Sequence, residues 1–273
     1  MFEAAVDCGG TRTKVVVASP EGERTFAFPS DGPATRQRIS EALARADGVK
    51  PESLDRLVLT GGATAALGDA FPRGSVELVD EAAATARGGI LSGAEPPAII
   101  VSLGTGTGIV LAEPGGGGTR LLGSGVGGGT FLGLAELILG PRSIEEWGAL
   151  AASGDAAACD LKVGDIVGGA AGDVPAEATA AHFGRLPDRA ARNEADLVAG
   201  LLGLVVQNAL RIALGELGRT GAQSVLLLGG LLAEPGLRRA LEEGPLLQRF
   251  PVPIADDPAF AVARGALALA RER

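Results

Sequence analysis

The sequence predicts an α/β fold of two similar lobes facing each other across a cleft, and three observations predict it. A strand, glycine turn, strand unit opens the chain at Met1 to Ala18 and starts again at Ala98 to Ala112. Other hydrophobic strands also end in glycine pairs, at Thr60-Gly61-Gly62 and Leu228-Gly229-Gly230. Between the two units stands Ala94-Glu95-Pro96-Pro97, whose prolines mark a break. The lobes are therefore expected at residues 1–95 and 96–273, with the helix at 258–271 returning toward the first.

In chain order, Met1 to Val6 and Val15 to Ala18 read as strands around a tight turn from Cys8 to Thr13. Pro20 to Glu23 turns the chain into a third strand, Arg24 to Phe28, so this unit is an antiparallel meander. This argues against a dinucleotide-binding βαβ unit, because Val15, Val16 and Val17 continue as a strand where a helix should begin. Ala34 to Ala46 has helical spacing, with Ile39, Leu43 and Ala46 on one face. Leu54 to Leu59 and Val76 to Val79 read as strands, and Ala82 to Leu91 is made of good helix formers.

The second unit consists of an apolar strand Ala98 to Leu103, a turn Gly104 to Gly108, and a strand Ile109 to Ala112. Gly115 to Gly118 is a flexible loop into Thr119 to Leu122. Gly123, Gly125, Gly127, Gly128 and Gly129 then lead into a helix from Thr130 to Leu139. Exposed N–H groups and the positive dipole end at such a start form an anion site. Ser143 to Ala158 reads as helical and Asp160 to Val167 as loop or short strand. A long helix is expected from Asn193 to Leu217, with Leu197, Leu201, Leu204, Val205, Asn208 and Ile212 on one broad face. Ser224 to Leu228 is a strand, a last strand is expected near Phe250 to Ile254, and a helix from Pro258 to Arg271 closes the chain.

Composition bounds the chemistry. With 273 residues, 46% of them hydrophobic, and a formal charge of −9, the chain reads as a soluble globular protein. It carries no clustered basic footprint, 3% aromatic residues and no Tyr, which argues against nucleic acid as a partner. The longest apolar run, Leu197 to Val206, is shorter than the roughly 20 residues of a membrane span, so no membrane partner is expected. Glu3 and Asp7 interrupt the N-terminal apolar run, which argues against a signal peptide and for a cytoplasmic protein. Cys8, Cys159 and the single His182 allow neither a disulfide framework nor a Cys/His zinc site.

The glycine turns carry the binding logic. Gly9 and Gly10 let backbone approach a ligand, Thr11 adds a hydroxyl, and Lys14, one of three lysines, adds a point charge. Asp7 at the strand end suits a hydrated divalent cation, which prefers carboxylate oxygen. The turns at Asp7 to Thr11, Thr60 to Gly62, Leu103 to Gly108 and Leu228 to Gly230, with the glycine-led helix, suggest a nucleotide clamped between two lobes. Glu81 stands at a strand-to-helix junction beside Asp80 and Glu77, and either it or Asp80 is a candidate base.

This arrangement resembles the actin, sugar kinase and heat-shock chaperone ATPase superfamily, with its two ribonuclease H-like lobes. Within it the chain resembles the type II pantothenate kinases over nearly its whole length. The motifs are DCGGTRTK at 7–14; Leu59 to Gly62 with Glu81 and Gly88 to Leu91; SLGTGTGI at 102–109 with Arg120 and GSGVGGGTFLGL; and DLKVGDI at 160–166 with PAEATAAHFG at 175–184. PAFAVARGAL at 258–267 is similar too.

The resemblance implies transfer of the ATP γ-phosphoryl group to the primary hydroxyl of pantothenate, with Mg2+, the first step toward coenzyme A. It implies Glu81 as base and Asp7 as the residue holding magnesium through water. Gly9, Gly10, Thr11, Lys14, Gly104, Thr105, Gly106, Gly127, Gly128, Gly129, Thr130, Gly229 and Gly230 would line the nucleotide site. Arg120, Thr105 and Gly108 would meet pantothenate, with Arg120 on its carboxylate. Relatives often carry Ser at the position of Gly108 and a polar residue at that of Gly230. The resemblance also implies a homodimer supported by the long apolar helix. The alternatives are an N-acetylhexosamine kinase of the BadF/BadG type and a non-catalytic ATP-binding module.

Overall fold

A computed structural model describes residues 1–30, 32–62, 64–67, 76–186 and 193–273. In chain order the elements are β1 (Glu3–Cys8), β2 (Arg12–Ser19), β3 (Gly22–Pro29), α1 (Arg36–Asp47), β4 (Arg56–Thr60), β5 (Glu77–Leu78) and α2 (Glu81–Leu91). Then come β6 (Ala98–Leu103), β7 (Thr107–Ala112), β8 (Gly118–Ser124), α3 (Gly128–Leu139), α4 (Ile144–Ser153), β9 (Leu161–Lys162), α5 (Val163–Val167) and β10 (Thr179–Ala181). The last are α6 (Glu194–Thr220), β11 (Ser224–Leu228), α7 (Pro235–Glu242), α8 (Pro245–Arg249) and α9 (Ala261–Arg271). Two compact units result. The first holds Met1–Gly129, Ala209–Leu232 and Val252–Arg273, and the second holds Thr130–Asn208 and Ala233–Pro251.

Both main sheets lie in the first unit and share one plan. The order is β3-β2-β1-β4-β5 in one and β11-β6-β7-β8 in the other. In each, three strands form an antiparallel meander and a later strand returns parallel to the first of them, β4 beside β1 and β11 beside β6. The repeated unit read from the sequence is thus a repeated sheet.

Two-sided burial explains why these strands are continuously apolar instead of alternating. Ala4, Val6, Cys8, Val15 and Val17 pack with Ile39, Leu43 and Ala46 of α1. Ala5, Val16 and Val58 belong to a second core with residues of α2, α9 and the other sheet, including Ala84, Ala263, Ile100 and Leu226. The buried carboxylate of Glu3 ties α9 to this frame, accepting from Arg271 Nε at 2.7 Å and Arg56 Nη1 at 3.2 Å.

Several expectations need correction. Cys8 pairs with Thr13 in the ladder, so the first turn is Gly9 to Thr11 instead of six residues. Leu103 likewise pairs with Thr107, which leaves Gly104 to Gly106 as the second turn. The helix expected at 143–158 ends at Ser153, because Gly154 is extended and Asp155 starts a separate short turn by capping Ala157. Residues 160–167 contain the short α5 as well as β9. No strand forms at 250–254, where Ile254 makes a single bridge to Leu227; Pro251 and Pro253 have no N–H to give a ladder.

The buried face of the long helix also differs from the expected one. Leu197, Leu201 and Val205 are buried, but Asn208 is exposed, and the buried set includes Val198, Leu202, Val206, Ala209 and Ala213. By length and composition α6 could cross a bilayer, yet 61% of its most apolar window is buried within the protein, as in a core helix. α7 and α8 have no counterpart among the elements expected from the sequence.

Cys8 supplies a pH-dependent prediction. Burial, with the Asp7 charge adding, pushes its thiol from 9.0 up to about 12. A raised value stabilises the fold fully below the unfolded thiol's value and is lost as pH rises from 9 toward about 12. Denaturant unfolding at pH 8 and pH 10.5 should show a steeper loss for the wild type than for Cys8→Ala. Equal losses would reject this account.

Candidate active site

Asp7 is the last but one residue of β1 and stands in register with Lys14 on β2 and Thr60 on β4. Because side chains alternate along strands, the buried row Val16, Ala5, Val58 is followed on the same face by Lys14, Asp7, Thr60. Lys14 Nζ donates to Asp7 Oδ2 at 2.8 Å, with both side chains largely buried at 12% and 7% exposure. The glycine turn beyond them is held from β3. Ser30 donates its N–H to Thr11 O at 2.8 Å and its hydroxyl to Gly9 O at 2.9 Å. Nothing in the sequence singles out Ser30, since a serine after a strand carries no signal; only the β2–β3 register brings it here.

The equivalent turn of the second sheet meets the first. Thr11 Oγ1 and Thr105 Oγ1 lie 2.7 Å apart in a hydrogen bond. The N–H groups of Gly128 and Gly129 donate to Gly104 O at 2.8 Å and Thr105 O at 2.9 Å. These two amides are therefore not the exposed anion donors expected of the helix start. They fasten the beginning of α3 to the Gly104–Gly106 turn. Thr107 Oγ1 donates to Val126 O at 2.7 Å and holds the loop just before Gly127. Thr130, the next helical residue after this glycine run, begins the second unit.

β4 and β11, the strands that return parallel to β1 and β6, each run into a glycine at which a side chain would be strained. Gly61 has φ +104°, and a Cβ there would lie 2.7 Å from Cys8 O. Gly229 has φ +119°, and its Cβ would lie 2.3 Å from Leu103 O. Both pack onto the end of the neighbouring strand, where positive φ and close approach coincide. Gly230 follows beside the ammonium arm, since a Cβ on it would sit 3.8 Å from Lys14 Cε.

The acids at the start of α2 separate by partner. Asp80 is the N-cap, its Oδ1 accepting from Ala83 N at 2.9 Å. Glu77 pairs with Arg56 Nε at 3.1 Å. Glu81 faces the turn after β4, where a Cβ on Gly62 would lie 3.5 Å from its Oε2. It accepts from Arg120 Nη2 of β8 at 3.1 Å, in a half-exposed pair of 54% and 39% exposure. Gly108 lies on β7 opposite Ser102 and Gly123. His182 and Lys162 lie in the second unit, where His182 Nδ1 is 3.0 Å from the buried Asp160.

The first unit thus brings together Asp7, Lys14, Thr11, Thr105 and Gly230, and separately Glu81, Arg120 and Gly62. Three comparisons bear on it. A family model described as Fumble matches residues 90–237, more than half of the chain. The type II pantothenate kinase of Oceanobacillus iheyensis is 31% identical over 134 residues, 49% of each sequence, so this match spans about half the length of that relative. That of Staphylococcus haemolyticus is 28% identical over 278 residues, covering 98% of this chain and 100% of the relative. Among solved structures, the activator of the 2-hydroxyisocaproyl-CoA dehydratase from Clostridium difficile with bound ADPNP has a TM-score of 0.69 at 21% identity, covering 100% of this chain and 95% of that one. The fold is the two-sheeted fold of actin-like ATPases and sugar kinases, as predicted.

Proposed function

The chain belongs to the Fumble family, and on that premise we propose that it is a type II pantothenate kinase, transferring the γ-phosphoryl group of ATP to the primary hydroxyl of pantothenate, the first step toward coenzyme A. The observation that carries this reading is the Glu81–Arg120 pair, which joins a candidate base to a carboxylate-binding cation in the compact unit that holds the Lys14–Asp7 pair.

Phosphoryl transfer needs positioning and charge neutralisation more than covalent chemistry. Lys14, Gly9 to Thr11, the Gly104–Gly106 turn, and Gly229 and Gly230 line the nucleotide's phosphates in this reading. Among the described residues no three His, Cys, Asp or Glu side chains cluster, while Asp7 offers a hard carboxylate. That donor set fits Mg2+, which keeps several waters and takes further oxygens from phosphates. Bound there, the ion would neutralise charge on the transferring group.

Arg120 takes the acceptor's carboxylate, and Thr105 and Gly108 lie along its path. An exposed ion pair is worth about 0–1 kcal/mol, so an incoming carboxylate can replace Glu81 on Arg120 at little cost. Glu81 Oε2, released from its 3.1 Å contact, then accepts the proton of the attacking hydroxyl. In the same reading the lobes that close on the nucleotide are 1–95 and 96–273, each with one main sheet, and the protein is a cytoplasmic homodimer acting on neither nucleic acid nor membrane.

The test is ADP formation by purified protein with Mg-ATP. Pantothenate should stimulate it strongly, and N-acetylglucosamine or glucose only slightly. The reverse ranking would overturn the substrate assignment, and equal release without any acceptor would favour a bare ATPase module.

A further inference from the structure

The run Gly115 to Gly118, a flexible loop by composition, divides in the structure. Gly115 and Gly116 turn the chain between β7 and β8 at φ +108° and +88°, and a Cβ on either would meet open space. Gly118 is already strand, the first residue of β8 and the ladder partner of Ala112. Its backbone lies outside the left-handed region, so its own conformation would accept a side chain. What forbids one is α2. A Cβ on Gly118 would lie 2.5 Å from Ala82 O and 2.7 Å from Ala86 Cβ.

That contact lies beside the Glu81–Arg120 pair. Ala82 follows Glu81 in the first turn of α2, and Arg120 follows Gly118 by two residues along β8, so the side chain of Arg120 and the missing one of Gly118 share a strand face. The register is regular there, with Ala112, Leu111 and Val110 of β7 opposite Gly118, Thr119 and Arg120. The shared face is the one toward α2. Val110 and Ala112 belong to one core with Ala82 and Ala86, and Arg120 Nη2 reaches Glu81 Oε2 at 3.1 Å. The gap between β8 and α2 is therefore set where a glycine meets a helix carbonyl, and it is bridged one residue along the helix by the candidate base and cation. A helix carbonyl cannot swing aside as a side chain can, so the size of residue 118 fixes how close the strand comes.

We infer that Gly118 is a positioning residue of the acceptor site: by letting β8 lie against the first turn of α2, it sets the separation of Arg120 and Glu81, across which the acceptor's carboxylate and hydroxyl are held. The inference rests on the reading of Glu81 and Arg120 given above. With a side chain at 118, ordinary van der Waals contact would need the strand to retreat by roughly 1 Å. β8 is the edge of its sheet, hydrogen-bonded to β7 alone, so it can move outward while the core stays folded. An acceptor could then sit on Arg120 or reach Glu81, but not both at once.

The experiment measures acceptor-dependent turnover per ATP-binding site, the number and affinity of those sites by calorimetry with an ATP analogue, and thermal melting. Gly118→Ala should lower turnover by about 10²-fold, the loss that a misplacement of about 1 Å can cause, with analogue affinity unchanged. Gly116→Ala is the control for strain without displacement. It holds an alanine at φ +88° in open space, so it should lower the melting temperature and leave turnover near the wild-type value. Should Gly118→Ala not fold, Ala86→Ser takes its place with the same direction of change. A helical serine bonds back to the carbonyl four residues before it, here Ala82 O, which puts its oxygen between the two atoms that face Gly118. Wild-type turnover in Gly118→Ala, or in Ala86→Ser standing in for it, would overturn the proposal. So would a loss of analogue affinity that matches the loss of turnover, as a mark of general disorder, or an equal loss in Gly116→Ala, which would lay the effect on the whole hairpin. Glu81→Gln separates the proposal from the reading beneath it. If it keeps wild-type turnover, the role of Glu81 falls and the proposal with it; if it loses turnover while Gly118→Ala does not, Gly118 alone falls. The acceptor used is the one that the ADP assay ranks first, so an error in the substrate assignment does not reach this test.

Discussion

Glu81→Gln should lower pantothenate-dependent ADP formation by about 10²–10⁴-fold, the contribution of a positioned general base, while ATP affinity stays at its wild-type value. Glutamine keeps the length of the side chain and a carbonyl toward Arg120, so the site loses proton affinity without losing its shape. The neighbouring acids are poorly placed to substitute. Asp80 is held in the cap of α2 by Ala83 N at 2.9 Å, and Glu77 is paired with Arg56 at 3.1 Å. Single-turnover measurement with saturating ATP isolates the chemical step, and an unchanged rate would move the base to one of those two. Asp80→Asn provides the contrast: an asparagine caps a helix nearly as well as aspartate, so turnover should remain close to wild type.

Gly229→Ala should destabilise the protein by about 3 kcal/mol or more and remove nucleotide binding in whatever remains folded. At φ +119° an alanine is strained, and its Cβ would meet Leu103 O at 2.3 Å, backbone against backbone with no flexible side chain to yield. Relief would require the end of β11 to part from the end of β6, which would carry Gly230 away from Lys14 and loosen the turn that holds Thr105 against Thr11. Chemical denaturation read by circular dichroism measures the first effect and calorimetry with an ATP analogue the second. A melting curve matching the wild type would show that the turn can be made another way.

What the sequence determined by itself is the local chemistry. Apolar strands delivering glycine turns, the doubled meander, and Asp7 and Lys14 around the first turn follow from residue type and short-range spacing, while Glu81 and Arg120 as acid and cation are what the family resemblance implies. The family is legible too, because its motifs lie in continuous stretches such as 7–14 and 102–109. Strand ends are less legible where ladders run into the turns. Cys8 and Thr13 flank the glycine turn in sequence, and only their pairing across β1 and β2 shows that the ladder runs as far as them.

Only the tertiary structure decided which groups already have partners. Gly128 and Gly129 look like anion donors until their amides are seen fastening to Gly104 and Thr105. Asp80 and Glu81 are adjacent carboxylates in sequence, and the start of α2 divides them, one into the cap and one toward Arg120. Thr60 reads as the last polar residue of a strand, yet register sets it beside Asp7 with an unsatisfied hydroxyl. The physical reason is common to all three. Hydrogen bonding and burial depend on contacts between residues distant in the chain, and no local pattern records which donor has already met its acceptor.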